Sequence, residues 1–369
     1  MRNGDCKLQI ANCKLQIGSG PRNAATGAPA ICILQFAFCN LQSLPLIVLV
    51  LFFAGAQASA QEDVVHRRNG IVDRGKIVAQ DSSGVRLIRS DTRKETLIPA
   101  DQIERTEVKL TPDQQEGERL FDQKDYRAAA TKFEAALKAE SRPWLRGKIA
   151  SNIVACYLAT GDSAAAIDAF FAATQATDGQ LAWSAVPIWW LPEPPAGQVI
   201  DQATMMLRSG SPLQQLIGAS FLFGTKDSQA ARDALAKLTT YRDERIGQLA
   251  RTQLWRWDAA TAKPDDVAAW QRQAAKLPPD MRAGPYFAIG LALRRLGQHD
   301  DAALAFLWPA VAHRSDPKLA GRAALFAAES LEQAGQPAEA RQIYEEIVAR
   351  FARSPEAASA AARLAATKE

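Results

Sequence analysis

The sequence predicts a mainly α-helical protein, an α-solenoid of helical hairpins preceded by a small five-stranded, barrel-like β-domain. Three observations predict this fold. From Thr111 onward the apolar residues recur with helical spacing, whereas between residues 63 and 109 they alternate with a period of two. In the helical part, a pattern of small and aromatic residues returns after 37 or 38 residues. Hydrophobic residues make up 47% of the chain, which is enough for a globular core.

The charge of the chain indicates neither a nucleic-acid nor a membrane-surface partner. The formal net charge is +4, but residues 1–60 contribute four basic residues and one acidic residue to it. The remaining 309 residues therefore carry a net charge of only +1. Because a nucleic-acid-binding domain needs a basic patch, we expect no nucleic acid among the partners.

The first 60 residues are expected to be a presequence rather than part of the fold. Residues 44–54 read LPLIVLVLFFA, and Ala58-Ser59-Ala60 follows shortly after them. An apolar run that ends in an A-x-A site is typical of a signal peptide, here 44–60, which is cleaved after Ala60. A transmembrane helix needs about 20 apolar residues, so we expect no stable membrane span after processing. The protein is thus expected to be periplasmic or secreted, with an uncleaved anchor as the alternative.

The segment before the apolar run contains an internal duplication. Cys6–Ile10 and Cys13–Ile17 both read CKLQI. A repeat this exact, in a stretch with no folding pattern, resembles translated repetitive DNA, and we expect the true start downstream of residue 20. Four of the five cysteines lie in the first 40 residues, and the remaining one, Cys156, sits in an apolar helical run. We expect Cys156 to be a small buried apolar residue rather than a reactive thiol.

Residues 61–110 are predicted to form the β-domain. The alternating segments are 64–67, 75–79, 85–89, 95–98 and 103–108, with a turn at Asn69-Gly70 and a stop at Pro99. Five short strands in fewer than 50 residues favour a curled barrel of SH3-like or Sm-like shape. Residues 63–109 contain no Phe, Tyr or Trp, which nucleic-acid and peptide grooves use, so we expect a structural or protein-docking module.

Residues 111–180 and 281–369 carry the repeated helical pattern. A turn is followed by a small residue and, four residues later, by an aromatic residue, while small and aromatic residues also occur in the preceding helix. Small residues let two helices approach closely, and the aromatic ring fills the space between hairpins. These repeat-packing residues are Gly117, Ala129, Phe133, Ala136, Tyr157, Ala166, Phe170, Ala173, Gly290, Ala302, Phe306, Ala340 and Tyr344. Thr111-Pro112 and Ser211-Pro212 each place a hydroxyl cap before a proline, which predicts two helix starts.

The repeated pattern resembles the tetratricopeptide repeat, whose unit has about 34 residues. The resemblance covers about 110–180 and 283–354 and implies consecutive helical hairpins whose surface binds other proteins, without naming a partner. A generic array of helical hairpins is the alternative. In the middle region, 181–280, segments 211–224, 227–238 and 242–257 are predicted as amphipathic helices similar to HEAT-type units. Helix 355–366 is predicted to cap the last hairpin.

Three of the eight tryptophans, Trp183, Trp189 and Trp190, cluster around a proline-rich stretch. Four prolines between residues 187 and 195 exclude one regular helix there. Two interpretations remain open for the cluster. It is either a candidate ligand platform for a peptide or glycan, or a plug that fills a break in the repeat register.

The sequence contains none of the catalytic motifs HExxH, GxSxG, Walker A or GxGxxG, and its three histidines lack metal-ligand spacing. We therefore expect no catalytic residues, no metal and no cofactor. The favoured function is a protein–protein interaction scaffold for an unknown protein or peptide. The alternative is an envelope enzyme or enzyme subunit that acts on cell-wall glycan. A groove with an isolated buried Asp or Glu would favour the enzyme, and a groove lined with Asn, Lys, Arg and Tyr would favour peptide binding.

Overall fold

The computed structural model describes residues 62–81, 83–176, 183–195, 197–312 and 316–366. The predicted signal peptide, with Ala58 and Ala60, lies outside these residues. The described chain is mainly helical and begins with a small antiparallel sheet, which confirms the predicted order of the two parts. Within those ranges, no helix is both long enough and apolar enough to cross a membrane.

All five predicted strands are present in the sheet. They are β1 (Asp63–Arg67), β2 (Val72–Asp81), β3 (Gly84–Arg89), β4 (Glu95–Pro99) and β5 (Ile103–Glu107). Because successive side chains of a strand point to opposite faces, one residue in two reaches the inner face. The buried core of that face consists of Val65, Ile77, Val85, Leu87 and Ile98.

The sheet is not closed into a barrel, so that part of the prediction is wrong. The strand order is β4-β3-β2-β1-β5 with antiparallel pairing throughout, and β4 and β5 form the two edges. The inner face is covered in another way, because Trp144 of the helical part packs against the sheet core together with Ile103 and Val108. An indole from outside the sheet thus supplies apolar cover that a closed barrel would take from its own strands.

The helical part contains fourteen α-helices in the described residues. They are α1 (Pro112–Asp122), α2 (Tyr126–Ala139), α3 (Pro143–Thr160), α4 (Ser163–Ala176), α5 (Val199–Leu207), α6 (Pro212–Phe221), α7 (Ser228–Leu238), α8 (Glu244–Asp258), α9 (Pro264–Ala274), α10 (Ala283–Arg295), α11 (His299–Ala312), α12 (Pro317–Gln333), α13 (Pro337–Arg350) and α14 (Pro355–Ala366). Both predicted caps are confirmed, since Thr111 accepts from the Gln114 N–H at 3.2 Å and Ser211 from the Gln214 N–H at 3.5 Å.

The predicted repeat-packing residues lie between helices. All of them are buried except Tyr157, which is half-buried. The same close contact occurs at both ends of the helical part, where a glycine of one helix faces the ring of the next. A Cβ on Gly117 would lie 2.8 Å from the Phe133 ring, and one on Gly290 would lie 2.7 Å from the Phe306 ring. Any larger residue at these two glycines would push the helices apart.

Helices that follow one another in sequence also pack against one another from α1 to α4, from α5 to α8 and from α10 to α14. The first and last groups also meet, because α3 contacts α12. In addition, the Lys124 ammonium donates to the backbone carbonyl of Arg350 at 2.5 Å. The described helices therefore include contacts between the two ends of the array as well as between neighbours.

A buried ion network joins the sheet to the helical part. The Arg142 guanidinium donates to both Asp63 oxygens at 3.2 and 3.4 Å, to the Lys109 carbonyl at 2.6 Å and to Glu140 at 2.8 and 2.9 Å. Asp63 also accepts from the backbone N–H groups of Ile77 and Lys109. Asp63 and Glu140 are 4% and 6% exposed, so neither charge is screened by water. The network fixes β1, β2 and the start of α3 to one another.

Removal of the Arg142 cation is expected to destabilise the fold strongly. In Arg142→Met, two carboxylates stay buried without their partner, which should lower the free energy of unfolding by about 3–5 kcal/mol. Urea denaturation followed by circular dichroism measures this change. The matched control is Arg119→Met, which removes an exposed ion pair with Glu116 and should leave stability nearly unchanged. Equal stabilities of the two variants would contradict the assigned role of the network.

The same network predicts an acid-sensitive fold. Burial alone raises the pKa of Glu140, but the hydrogen bonds from Arg142 outweigh it and hold the pKa below the usual value of 4.5. A carboxyl whose pKa is depressed by folding contributes stability above its unfolded pKa and loses it as the pH falls through the folded pKa. The free energy of unfolding should therefore fall as the pH drops below 4.5, and Glu140→Gln should flatten this dependence. An unchanged slope in pH-dependent urea denaturation would argue against this origin.

Candidate functional site

A groove of about 1220 Å³ lies between the sheet, α3 and two short 3-10 turns, Trp183–Ala185 and Pro279–Met281. Its walls come from distant parts of the sequence. The lining residues are Ala79, Gln80, Asp81, Arg86, Thr106, Val108, Leu110, Trp144, Leu145, Gly147, Lys148, Ser151, Asn152, Trp183, Arg245, Pro278, Pro279, Asp280 and Met281. The groove is far larger than the pocket of about 40 Å³ that lies beside it around Trp190 and Gly284.

The groove opens where β2 runs past β1. β1 pairs with β2 only over Val72–Gly75, so no strand covers the rest of that edge. At Ile77 the edge is closed by side chains, because the N–H donates to Asp63 at 2.9 Å and the carbonyl accepts from the Trp144 indole at 3.1 Å. Beyond this point, Ala79–Asp81 face α3 across open space, and Gly147 of α3 adds no side chain to narrow it.

The groove has an apolar floor and a rim that forms hydrogen bonds. Val108 and Leu110, which are partly buried, continue the apolar surface of Trp144, and Leu145 lies fully buried behind it. Around it, Gln80, Thr106, Ser151 and Asn152 supply amide and hydroxyl groups, while Arg86, Lys148 and Arg245 supply cations. The Arg245 guanidinium lies 4.5 Å from the centre of the Trp183 ring, so these two side chains form one flat surface.

The two carboxylates that line the groove, Asp81 and Asp280, are both exposed. The hydroxyl and the backbone N–H of Ser83 donate to Asp81 and hold the pKa of this carboxyl below its ordinary value. Asp81 is therefore ionised at neutral pH and has no proton to give. The groove lining contains Asn, Lys and Arg, and neither of its acidic residues is isolated from water.

The structure separates the three tryptophans of the candidate platform. Trp183 is half-buried and lines the groove. Trp189 and Trp190 are each only 8% exposed and pack in the core of the helical part. The Trp190 ring lies so close to Gly284 of α10 that a Cβ there would be 1.8 Å from the ring. Trp189 and Trp190 thus fit the interpretation of a plug at a break in the repeats, and Trp183 alone is placed to meet a ligand.

Arg256 holds the proline-rich segment in place, a role that the sequence did not indicate. Its guanidinium donates to the backbone carbonyls of Trp189 at 2.7 Å, Leu191 at 2.6 Å and Ser220 at 2.9 Å. The side chain is buried, no carboxylate of the described residues pairs with it, and burial lowers its pKa to about 9. The sequence does offer one indication that this side chain is buried. Arg256 lies between Trp255 and Trp257 on a predicted amphipathic helix, where a charged side chain next to two large rings is expected to be at least partly buried.

Comparison with known proteins adds no assignment. No protein-family model matches the chain, and no curated protein matches it. Within the described ranges, no group of three or more His, Cys, Asp or Glu side chains could hold a metal ion.

The close contact between Gly284 and Trp190 gives a test of how tightly Trp190 is packed in the helical core. Gly284 lies in the first turn of α10, where an alanine without close neighbours would be tolerated as well as glycine. In Gly284→Ala the new methyl group must displace the Trp190 ring, so we expect destabilisation by about 1–3 kcal/mol and a changed near-UV circular dichroism spectrum. The matched control is Gly210→Ala, where no atom lies within 4 Å of the new Cβ. Thermal unfolding in which the two variants behave alike would contradict the close packing of Trp190.

Proposed function

We propose that this protein is an exported, non-enzymatic scaffold that binds an extended segment of a partner protein in the groove between β2 and α3. The observation that carries the proposal is the lining of the groove, an apolar floor surrounded by amide, hydroxyl and cationic side chains. Its volume of about 1220 Å³ exceeds the roughly 300–1,000 Å³ of small-molecule pockets, which favours a polymer over a small ligand.

The chemistry of a peptide in an extended conformation matches this lining. Each residue of a peptide backbone presents one donor and one acceptor, and Gln80 and Asn152 carry amides that can serve both. Thr106 adds a hydroxyl group that can rotate to suit either role, and the Ser151 hydroxyl, which donates to the Gly147 carbonyl at 2.9 Å, can still accept. The side chains that point the other way would rest on Trp144, Val108 and Leu110. Such alternation of polar and apolar contacts is what an extended segment offers.

The helical hairpins support the same proposal. The contact between a small residue and a ring is repeated at Gly117–Phe133 and Gly290–Phe306, as in the tetratricopeptide-like pattern of the sequence. We propose that the hairpins form a solenoid of the tetratricopeptide type and that the middle helices continue it in a HEAT-like way. Such arrays present extended surfaces for proteins rather than catalytic clefts. Export to the periplasm or the medium remains a proposal that rests on the segment 44–60.

One observation favours the alternative of an envelope enzyme that acts on cell-wall glycan. Trp183 presents an indole to the groove close to Asp280, and an aromatic face beside a carboxylate suits a sugar ring. The exposed position of both lining carboxylates argues against it, because a general acid is normally kept protonated by burial. A variant with Asp81→Asn and Asp280→Asn separates the two functions. It should keep full partner binding if the groove is a peptide site and lose all activity if the groove is a glycosidase site.

Photo-cross-linking tests the proposed groove directly. A benzophenone amino acid in place of Ser151, which lines the groove, should trap a partner protein in envelope extract, and mass spectrometry should map the cross-link to one extended segment. The matched control carries the same group at Thr131, an exposed position of α2 outside the groove, and should trap nothing specific. A second variant, Lys148→Glu, should reduce trapping at position 151 by reversing one rim charge. Equal trapping at positions 151 and 131, or none at either, would contradict the proposal.

A further inference from the structure

Two apolar patches are exposed at places far from the groove floor. Of the seven large apolar side chains that are exposed in the described residues, four belong to the sheet or its first turn and two belong to α11. Isolated exposed apolar residues are normal, but clustered ones mark contact surfaces. The residues are Ile71, Val72, Ile88 and Leu97 in the first patch and Leu304 and Val311 in the second.

The first patch is the outer face of the sheet, which we call the basic sheet face. It consists of Val72, Arg74, Lys76, Arg86, Ile88 and Leu97, which are all exposed. The strand register sets them side by side, since Lys76 pairs with Ile88 and Arg86 pairs with Leu97. Arg74, Lys76 and Arg86 form no ion pair with any described residue. The register places two acidic residues on the same side of the sheet, Glu95 opposite Ile88 and Glu107 opposite Val64, and Glu107 is already paired with His66 and Arg105. The face combines aliphatic surface with an excess of positive charge.

The second patch is the outer side of α11, which we call the α11 stripe. Asp300, Asp301, Leu304, Trp308 and Val311 follow one another at helical spacing and so share one side of the helix. Between residues 302 and 312 the helix has no charged side chain. A surface helix is normally polar on its outer side, and one that is apolar all round is normally buried. Leu304 and Val311 are nevertheless 64% and 65% exposed, which leaves this side of α11 without cover.

The two patches are complementary in charge and similar in size. The α11 stripe begins with two carboxylates and continues as apolar surface, while the basic sheet face places its cations around aliphatic side chains. From Asp301 to Val311 the stripe spans about 15 Å, and strand β2 from Val72 to Lys76 spans about 13 Å. Both patches belong to the same chain and both are exposed in it, so they do not cover each other within one molecule.

We propose that the partner of the basic sheet face is the α11 stripe of a second copy of this chain. The apolar side chains of the stripe pack on Ile88 and Leu97, and Asp300 and Asp301 meet Arg74, Lys76 or Arg86. The contact is heterologous, because one copy contributes the sheet and the other contributes the helix. It leaves one free patch at each end of the pair, so further copies add until a ring closes or a chain of copies forms. This self-association is a proposal separate from the peptide site, although Arg86 belongs to both surfaces, and Lys76, which the charge test changes, lies outside the groove lining.

Sedimentation of two complementary variants tests the proposal on the protein as the cell processes it. The sheet variant carries Ile88→Asp and Leu97→Asp, and the helix variant carries Leu304→Asp and Val311→Asp. The wild-type protein should sediment above the monomer mass in a concentration-dependent way, and each variant alone should be monomeric. Mixed in equal amounts, the two should form a dimer and nothing larger, because each brings one intact patch. Recovery on mixing also proves that both variants are folded.

The charges are tested separately. Lys76→Glu should weaken self-association by about tenfold or more, because a like charge then faces the aspartates of α11. The matched control is Lys226→Glu, an equal charge change at an exposed site outside both patches. A wild-type protein that stays monomeric at its solubility limit would overturn the proposal and leave the patches to other partners. So would a helix variant that still associates, or a mixture that stays monomeric, since either result would mean that sheet and helix do not meet.

Discussion

The buried ion network around Arg142 joins two parts of the chain that have separate apolar cores. The core of the sheet centres on Val65 and Ile77, and the first helical core centres on Phe133. Arg142 lies directly before α3, so its bonds to Asp63 and to the Lys109 carbonyl fix this helix against β1. Trp144 follows two residues later and reaches the Ile77 carbonyl from the same helix start. The place and width of the groove between β2 and α3 depend on this junction.

The presence of an arginine at this junction is better explained by the directions of its hydrogen bonds than by their contribution to the free energy of folding. Burial of a charge costs several kcal/mol, and a well-packed apolar replacement of a buried ion pair is often equally stable. A guanidinium, however, presents five donors in a fixed planar fork, so its acceptors must lie in definite directions. Here the acceptors belong to β1, to the segment after β5 and to the loop before α3. An apolar contact of similar strength would allow these three segments to slide, and the groove would then vary in width.

Most of the secondary structure could be predicted from the sequence because it depends on local spacing. The spacing of two between Val85 and Leu87 indicates the buried face of a strand, and the spacing of four between Ala129 and Phe133 indicates the buried face of a helix. Neither indication depends on what covers that face. The barrel prediction failed at the next level, since closure depends on which group covers the inner face, and that group is Trp144 from another part of the chain. The groove could not be predicted from the sequence for the same reason. Its walls meet only after β2, α3 and the turn Pro279–Met281 have been placed by tertiary contacts.

The tryptophan cluster shows a limit of prediction from composition, which does not reveal which ring of the cluster reaches the groove. Trp183, Trp189 and Trp190 lie within eight residues of sequence, yet only the first reaches the groove. What separates them is Arg256, whose bonds to the carbonyls of Trp189 and Leu191 fix the direction of the chain between the prolines. No helix or strand satisfies those carbonyls, and a buried carbonyl without a partner would be costly, so the arginine is needed wherever this segment is buried.

One wall of the groove is thus positioned by a buried arginine, and a second buried arginine fixes the segment that follows Trp183. Arg142 fixes the wall of β2 and α3, and Arg256 fixes the segment that leads from Trp183 into the core. A groove whose walls are held in this way is already formed before a ligand arrives. The free energy of binding is then reduced only slightly by the cost of ordering the protein. The buried arginines therefore stabilise a binding surface that needs no rearrangement of the protein when the groove is filled, whatever the ligand.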